Sequence, residues 1–181
     1  MQYKLLYSRR KTLSLSVDDD GIPLVKAPIG LPKAEIERFL EHHRAWLSAA
    51  KERQAKRRAL DTALTEARIA ELRARAKREI PPRVAHFAAI LGVQPAGIRI
   101  TSAKKRFGSC SGTDHLCFSW RLMLYPNEAV DYVVVHELAH IREKNHSPAF
   151  YNVVAAVLPD YKRRAALLRD IPLQGGNPHD T

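Results

Sequence analysis

The stretch PNEAVDYVVVHELAHIREKNHSPAFY, from Pro126 to Tyr151, decides how this chain is read. Pro126 and Asn127 mark a helix start, with Glu128 in the first turn, where an acid complements the helix dipole. Val130, Val134, Leu138 and Ile141 recur at helical spacing and predict an amphipathic helix from Asn127 to Lys144. On such a helix His136 and His140 are one turn apart on one face, so both imidazoles can bind one cation. Glu137 sits about 100° round from His136 and flanks that face. There it can take a proton from a water that the cation has acidified, which is the logic of the H-E-x-x-H pattern.

A catalytic zinc has three protein ligands and one open position. Glu143 shares the face of His136 and His140, but three ligands on a straight helix are too collinear for a tetrahedral site. Asp160 is the remaining carboxylate substitute, since no Glu follows Glu143. His146 fits best, if the helix stops at Lys144–Asn145 with Asn145 in the left-handed conformation and the chain turns back. Ser147-Pro148 then reads as the cap and first residue of a following helix. The spacing of the three histidines equals that of metzincin proteases. Glu143, however, occupies the position of their turn glycine, and no methionine follows the motif, the only two being Met1 and Met123.

Helix HELAH followed by NHSPAFY (Asn145 to Tyr151) resembles the YgjP-like metal-dependent hydrolases, relatives of the SprT-type zincin proteases. Arg106-Phe107-Gly108-Ser109-Cys110-Ser111, then Phe118-Ser119-Trp120-Arg121-Leu122 and Pro126, is similar to that family's R-W-G-S-C-S turn and the strand before its metal helix. Ser8 to Lys11, Ala27-Pro28 and Trp46 also fit, so the resemblance runs from about residue 3 to about residue 170. Phe107, Ala139 and Tyr151 depart from the usual Trp, Cys and Trp. The resemblance implies a zincin-like α+β fold, a metallopeptidase, and His136, His140 and His146 as ligands with Glu137 as acid/base, while two thiols read as reduced and no expected signal peptide predict a cytoplasmic location. Zinc is the expected ion, with nickel, cobalt or manganese able to replace it.

A length of 181 residues with 45% hydrophobic content fits one metallohydrolase domain over 1–173. Within it, residues 1–32 read as β-hairpins around Asp18-Asp19-Asp20-Gly21, and 33–91 as helices broken by Pro81-Pro82. Residues 92–173 form the metal-binding region, opening with a small antiparallel sheet over 97–125, and 174–181 read as a disordered tail. Further helices are expected at Ser147–Leu158 and Asp160–Arg169. The strand Leu116 to Leu122 is a candidate edge that pairs with an extended substrate, or a core strand packing Phe118 and Trp120. No apolar run approaches a membrane span, and no signal peptide is expected at the start. Cys110 and Cys117 are too few for a disulfide framework and read as reduced thiols, although they could face each other across a hairpin.

The net charge of +11 and pI near 10.0 predict anionic partners. Eleven Lys and Arg against five acids between Lys51 and Arg83 form either a solvated helix face or a nucleic-acid surface. A second basic set comprises Arg9, Arg10, Lys11, Lys104, Lys105, Arg106 and Arg121. If these meet near the cation, Arg10, Arg106 and Arg121, with Phe118, become candidate substrate contacts. Three functions remain open at this point. They are a zinc peptidase, a pyrophosphohydrolase of nucleoside triphosphates using the same site, and a nucleic-acid-associated protein with a vestigial site.

Overall fold

The computed structural model describes residues 2–18 and 20–169, in two compact units that divide after Ala63. The first unit carries a three-stranded sheet of β1 (Lys4–Ser8), β2 (Ser14–Val17) and β3 (Pro23–Pro28), followed by α1 (Lys33–His42) and α2 (Arg44–Ala63). The strand order is β1-β3-β2. Strands β2 and β3 form the expected hairpin, closed by Asp18 and by Gly21 at φ 80°. A second hairpin does not form among the described residues of 1–32, although hairpins are expected there. β1 pairs in parallel with β3 instead, because β3 is the strand whose alternate residues Val25 and Ala27 are buried, and it takes the centre. Ile36, Leu40 and Leu47 cover that face.

The second unit holds α3 (Glu66–Leu91), β4 (Gly97–Thr101), β5 (Gly108–Cys110), β6 (His115–Ser119), a 3-10 helix (Trp120–Leu124), α4 (Asn127–Arg142), α5 (Pro148–Val157) and α6 (Tyr161–Leu167). Helix α3 runs through Pro81 and Pro82, contrary to the break expected there. An internal proline costs about 3 kcal/mol or more through its missing N–H and its clash with the preceding turn. Leu72, Ala76, Ile80, Val84, Ala88 and Leu91 keep one buried stripe across the prolines. Each buried large aliphatic side chain contributes about 1.5–3 kcal/mol, so the continuous stripe outweighs the local penalty. The breaks in 33–91 fall instead at His43 and at Leu64-Thr65, where the Thr65 side chain accepts from the Arg68 N–H and caps α3.

The sheet of the second unit has the order β4-β6-β5 and is mixed, not antiparallel: β4 runs parallel to β6 and β5 antiparallel. β6 is therefore the central strand, and the role of edge passes from Leu116–Leu122 to β5. The strand also stops early. Ser119 turns its hydroxyl onto the Arg121 N–H and starts the 3-10 helix, so Trp120 and Leu122 enter the core from a helical turn. Phe118 is fully buried with Leu116 against α3 and α4, which removes it as a substrate contact. Cys110 stands opposite Leu116 and Cys117 opposite Ser109, so the two thiols lie on opposite faces and are unbridged.

Helix α4 is the buried centre of this unit, with Ala129, Val130, Val133, Val134 and Leu138 all inside. None of the described helices is long and apolar enough to cross a membrane. The expected tail at 174–181 lies outside the described residues.

Candidate metal centre

α4 delivers His136 and His140 from one face, as the spacing requires, and then ends at Arg142. Glu143 is extended at φ −129° and ψ 105°. The reversal needs no left-handed asparagine: among the described non-glycine residues only Asp114 has positive φ. Ser147 caps α5 by accepting from the Phe150 N–H at 3.3 Å, with Pro148 in the first turn. The short connection between α4 and α5 thereby brings His146 back to the other two histidines.

Potential ligand atoms of His136, His140 and His146 all lie within 4.8 Å of one another. His146 Nε2 is 3.0 Å from His136 Nε2. Two nitrogens bound tetrahedrally to one zinc at about 2.0–2.1 Å stand roughly 3.3 Å apart, so this spacing suits a shared cation. The remaining ring nitrogens of two histidines have partners that fix ring orientation. His136 Nδ1 faces the Tyr132 hydroxyl at 3.4 Å, and His140 Nδ1 faces the Glu143 carbonyl at 3.1 Å. Such contacts leave Nε2 turned to the common point. Phe150, fully buried, packs its ring against all three imidazoles at centroid distances of 4.5–4.9 Å. Tyr132 is absent from the residues singled out by motif, although its place one turn before His136 is a usable signal.

Electrostatics follow burial. The imidazole of His136 is pushed down to about 4 by burial and by the neighbouring His140 and His146, so it is neutral at physiological pH. His140 is lowered for the same first cause. Glu137 is only 6% exposed, and burial raises its carboxyl to about 7 against the opposing pull of Arg106. Neutral imidazoles beside a carboxyl poised near neutrality are what a cation and a proton acceptor need.

These side chains line one wall of an open cleft of about 740 Å³, whose other wall is the run from Gly108 to Gly112. Arg106 and Lys144 also line it, and among the described residues Glu137 is the only acid that does. Lys144 is ion-paired with Asp114 on the β5–β6 turn. Arg121 is not a lining residue: its guanidinium lies 4.3 Å over the Trp120 ring and donates to the Ser102 carbonyl. Arg10 belongs to the first unit, where it donates to the Ser14 hydroxyl at 2.7 Å. Glu143 contributes its carbonyl, and Asp160 holds Arg163 and Arg164, so neither carboxylate joins the three histidines. The basic run from Lys51 to Arg83 is shared between α2 and α3, which fall in different units.

Two solved structures are similar to parts of this chain. One is the metallopeptidase zymogen of Pyrococcus abyssi abylysin, at 24% identity, covering 49% of this chain and 90% of that one with a TM-score of 0.46. The other is the metallopeptidase zymogen of Methanocaldococcus jannaschii jannalysin, at 21% identity, 50% and 94% coverage and a TM-score of 0.46. A comparison with curated proteins gives no match. The model of the YgjP-like metallopeptidase domain matches residues 49–171, well over half of the chain and all of the cleft. It begins within α2, so the N-terminal likeness at Ser8–Lys11, Ala27-Pro28 and Trp46 lies outside the matched residues. The chain belongs to the YgjP-like metallopeptidase family and is a metal-dependent hydrolase.

Proposed function

We propose that this protein is a zinc-dependent peptidase in which His136, His140 and His146 hold the ion and Glu137 is the general base. The observation that carries the reading is the convergence of three imidazoles beside one buried carboxyl in a cleft. A bound divalent cation supplies Lewis acidity, acidifying water and polarising a carbonyl oxygen. Glu137 takes the water proton on its carboxylate and passes it to the leaving amine. Tyr132 and the Glu143 carbonyl hold their imidazoles in the orientation that keeps Nε2 available. Burial by Phe150 excludes water from the back of the site.

The substrate in this reading is an extended peptide lying along β5. Ser119 N–H bonds to the Phe107 carbonyl and Ser111 N–H to the His115 carbonyl. Antiparallel alternation then turns the N–H and C=O groups of Gly108 and Cys110 away from β6, towards the open edge. An added strand meets those groups. Arg106 and Lys144 in the cleft favour peptides carrying carboxylates near the scissile bond. The same two cations favour a second reading, hydrolysis of a nucleoside triphosphate anhydride by the same residues.

Glu137→Gln separates chemistry from metal binding. The variant is expected to retain its zinc by elemental analysis while hydrolysis of an unfolded protein falls by about 10²–10⁴-fold. A Glu137→Gln enzyme with wild-type turnover rejects the assignment. Incubating the wild-type protein with nucleoside triphosphates under the same conditions distinguishes the two substrates: phosphate release without peptide cleavage favours the second.

A further inference from the structure

We propose that Gly108 is the positioning residue for Glu137, a role that rests on reading Glu137 as the general base. A Cβ atom built on Gly108 falls 2.6 Å from Glu137 Cγ, 2.6 Å from Oε1 and 2.8 Å from Cδ. No side chain larger than hydrogen fits there with Glu137 as it stands. The other described glycines serve different ends. Gly21, Gly30 and Gly92 have positive φ with open space around them, Gly97 approaches only the His115 ring, and Gly112 meets nothing. Gly108 is the one whose missing side chain is occupied by a functional group.

The strand is the rigid partner in this contact. Its main chain is tied to β6 on both sides of Gly108, through Ser119 N–H to Phe107 O at 2.8 Å and Ser111 N–H to His115 O at 2.9 Å. Phe107 is further packed edge-on against Tyr125 at 5.0 Å. Glu137 approaches from the buried side of α4, between Val133, Val134 and Leu138, and cannot retreat into the core. The carboxylate is therefore caught between helix and strand at the cleft wall. A methyl group at position 108 leaves the strand in place and drives the end of the Glu137 side chain, its most flexible part, to another rotamer. The base moves and the metal ligands do not.

The test compares Gly108→Ala in two backgrounds, wild type and Glu137→Ala, all zinc-loaded. In the wild-type background kcat on a fluorogenic peptide is expected to fall about 100-fold, the scale of a 1 Å misplacement. KM should stay within about twofold and bound zinc per chain should be unchanged, since only a transition-state contact is lost. The melting temperature falls in the wild-type background and stays constant in the Glu137→Ala background, because the colliding atoms are gone. Equal losses of melting temperature in both backgrounds, or an unaltered kcat, overturn the proposal. If Gly108→Ala fails to fold alone, the double variant must fold, and a misfolded double variant equally overturns it. A fully active Glu137→Ala enzyme would instead reject the base assignment, whatever the melting temperatures show.

Discussion

The Nδ1 atom of His140 faces the carbonyl oxygen of Glu143 at 3.1 Å, so the residue at which α4 stops also orients the second imidazole. Helix termination and imidazole orientation are one event. The first imidazole uses a side chain for the same purpose, the hydroxyl of Tyr132 at 3.4 Å from His136 Nδ1. Partners of this kind are generally worth tenfold or more in metal affinity, and the long contact here places Tyr132 at the low end. Tyr132→Phe is expected to weaken zinc binding by about three- to tenfold in a competition assay against a chromophoric chelator, with the melting temperature of the metal-free protein little changed. Unaltered affinity would show that Tyr132 does not orient His136.

Stability of the metal-free protein should respond to pH through Glu137 in one direction and through His136 and His140 in the other. Glu137 has a folded pKa of about 7, above its ordinary 4.5, so its contribution is present below pH 4.5 and is lost as pH rises to 7. His136, at about 4 against an ordinary 6.5, contributes fully above pH 6.5 and loses this as pH falls towards 4. Between pH 4.5 and 6.5 the slope of Glu137 opposes that of His136, and the lowered His140 adds to the latter. Glu137→Gln removes the first slope. Urea unfolding in the presence of a chelator should show this variant gaining about 3 kcal/mol on the wild type between pH 4.5 and 7.5. Parallel profiles would disprove the burial account of Glu137.

Phe150 joins the core to the candidate metal site. It is fully buried and its ring meets the rings of His136, His140 and His146. Phe150→Ala should cost about 3–5 kcal/mol of stability by denaturant unfolding, the range for removing a buried phenyl ring. It should also weaken zinc binding, because the three rings lose their common backing. Phe150→Leu, which retains much of the volume, should recover most of both.

The proposed selection for acidic peptides rests on Arg106, because Lys144 is already paired with Asp114. Peptides that differ only by Glu or Gln within about two residues of the cleaved bond should bind zinc-loaded Glu137→Gln with an affinity difference of about three- to tenfold in favour of Glu, read by fluorescence anisotropy. Arg106→Ala should abolish the difference, and 0.5 M salt should reduce it. Equal binding of both peptides would remove Arg106 from substrate recognition.

Much of the candidate site was legible because a helix converts spacing into geometry. His136, Glu137 and His140 needed only the 3.6-residue period, and Ser147-Pro148 marked the next helix by local chemistry. The end of α4 was misplaced by two residues, since an extended Glu143 leaves no compositional mark. Pairing between distant segments was beyond local reading. Nothing in Lys4–Ser8 says that its neighbour is β3 and not β2, and nothing in Leu116–Ser119 says that β4 covers one side and β5 the other. The closeness of Gly108 to Glu137 is hidden for the same reason: it joins residues from a strand and a helix. The proline pair in α3 misleads because local propensity is outvoted by a buried stripe about five turns long, from Leu72 to Leu91.

Two of the three imidazoles ride on a helix sealed into the hydrophobic interior, whereas His146 sits on a connector whose residues Lys144, Asn145 and His146 all face solvent. Opening such a short external piece costs far less than melting the helix behind it. With His146 holding the ion as proposed, its dwell time follows the connector's own fluctuations, and an engineer wishing to slow or hasten its departure has Lys144 and Asn145 to work on, because Glu143 orients His140 and Ser147 caps the next helix.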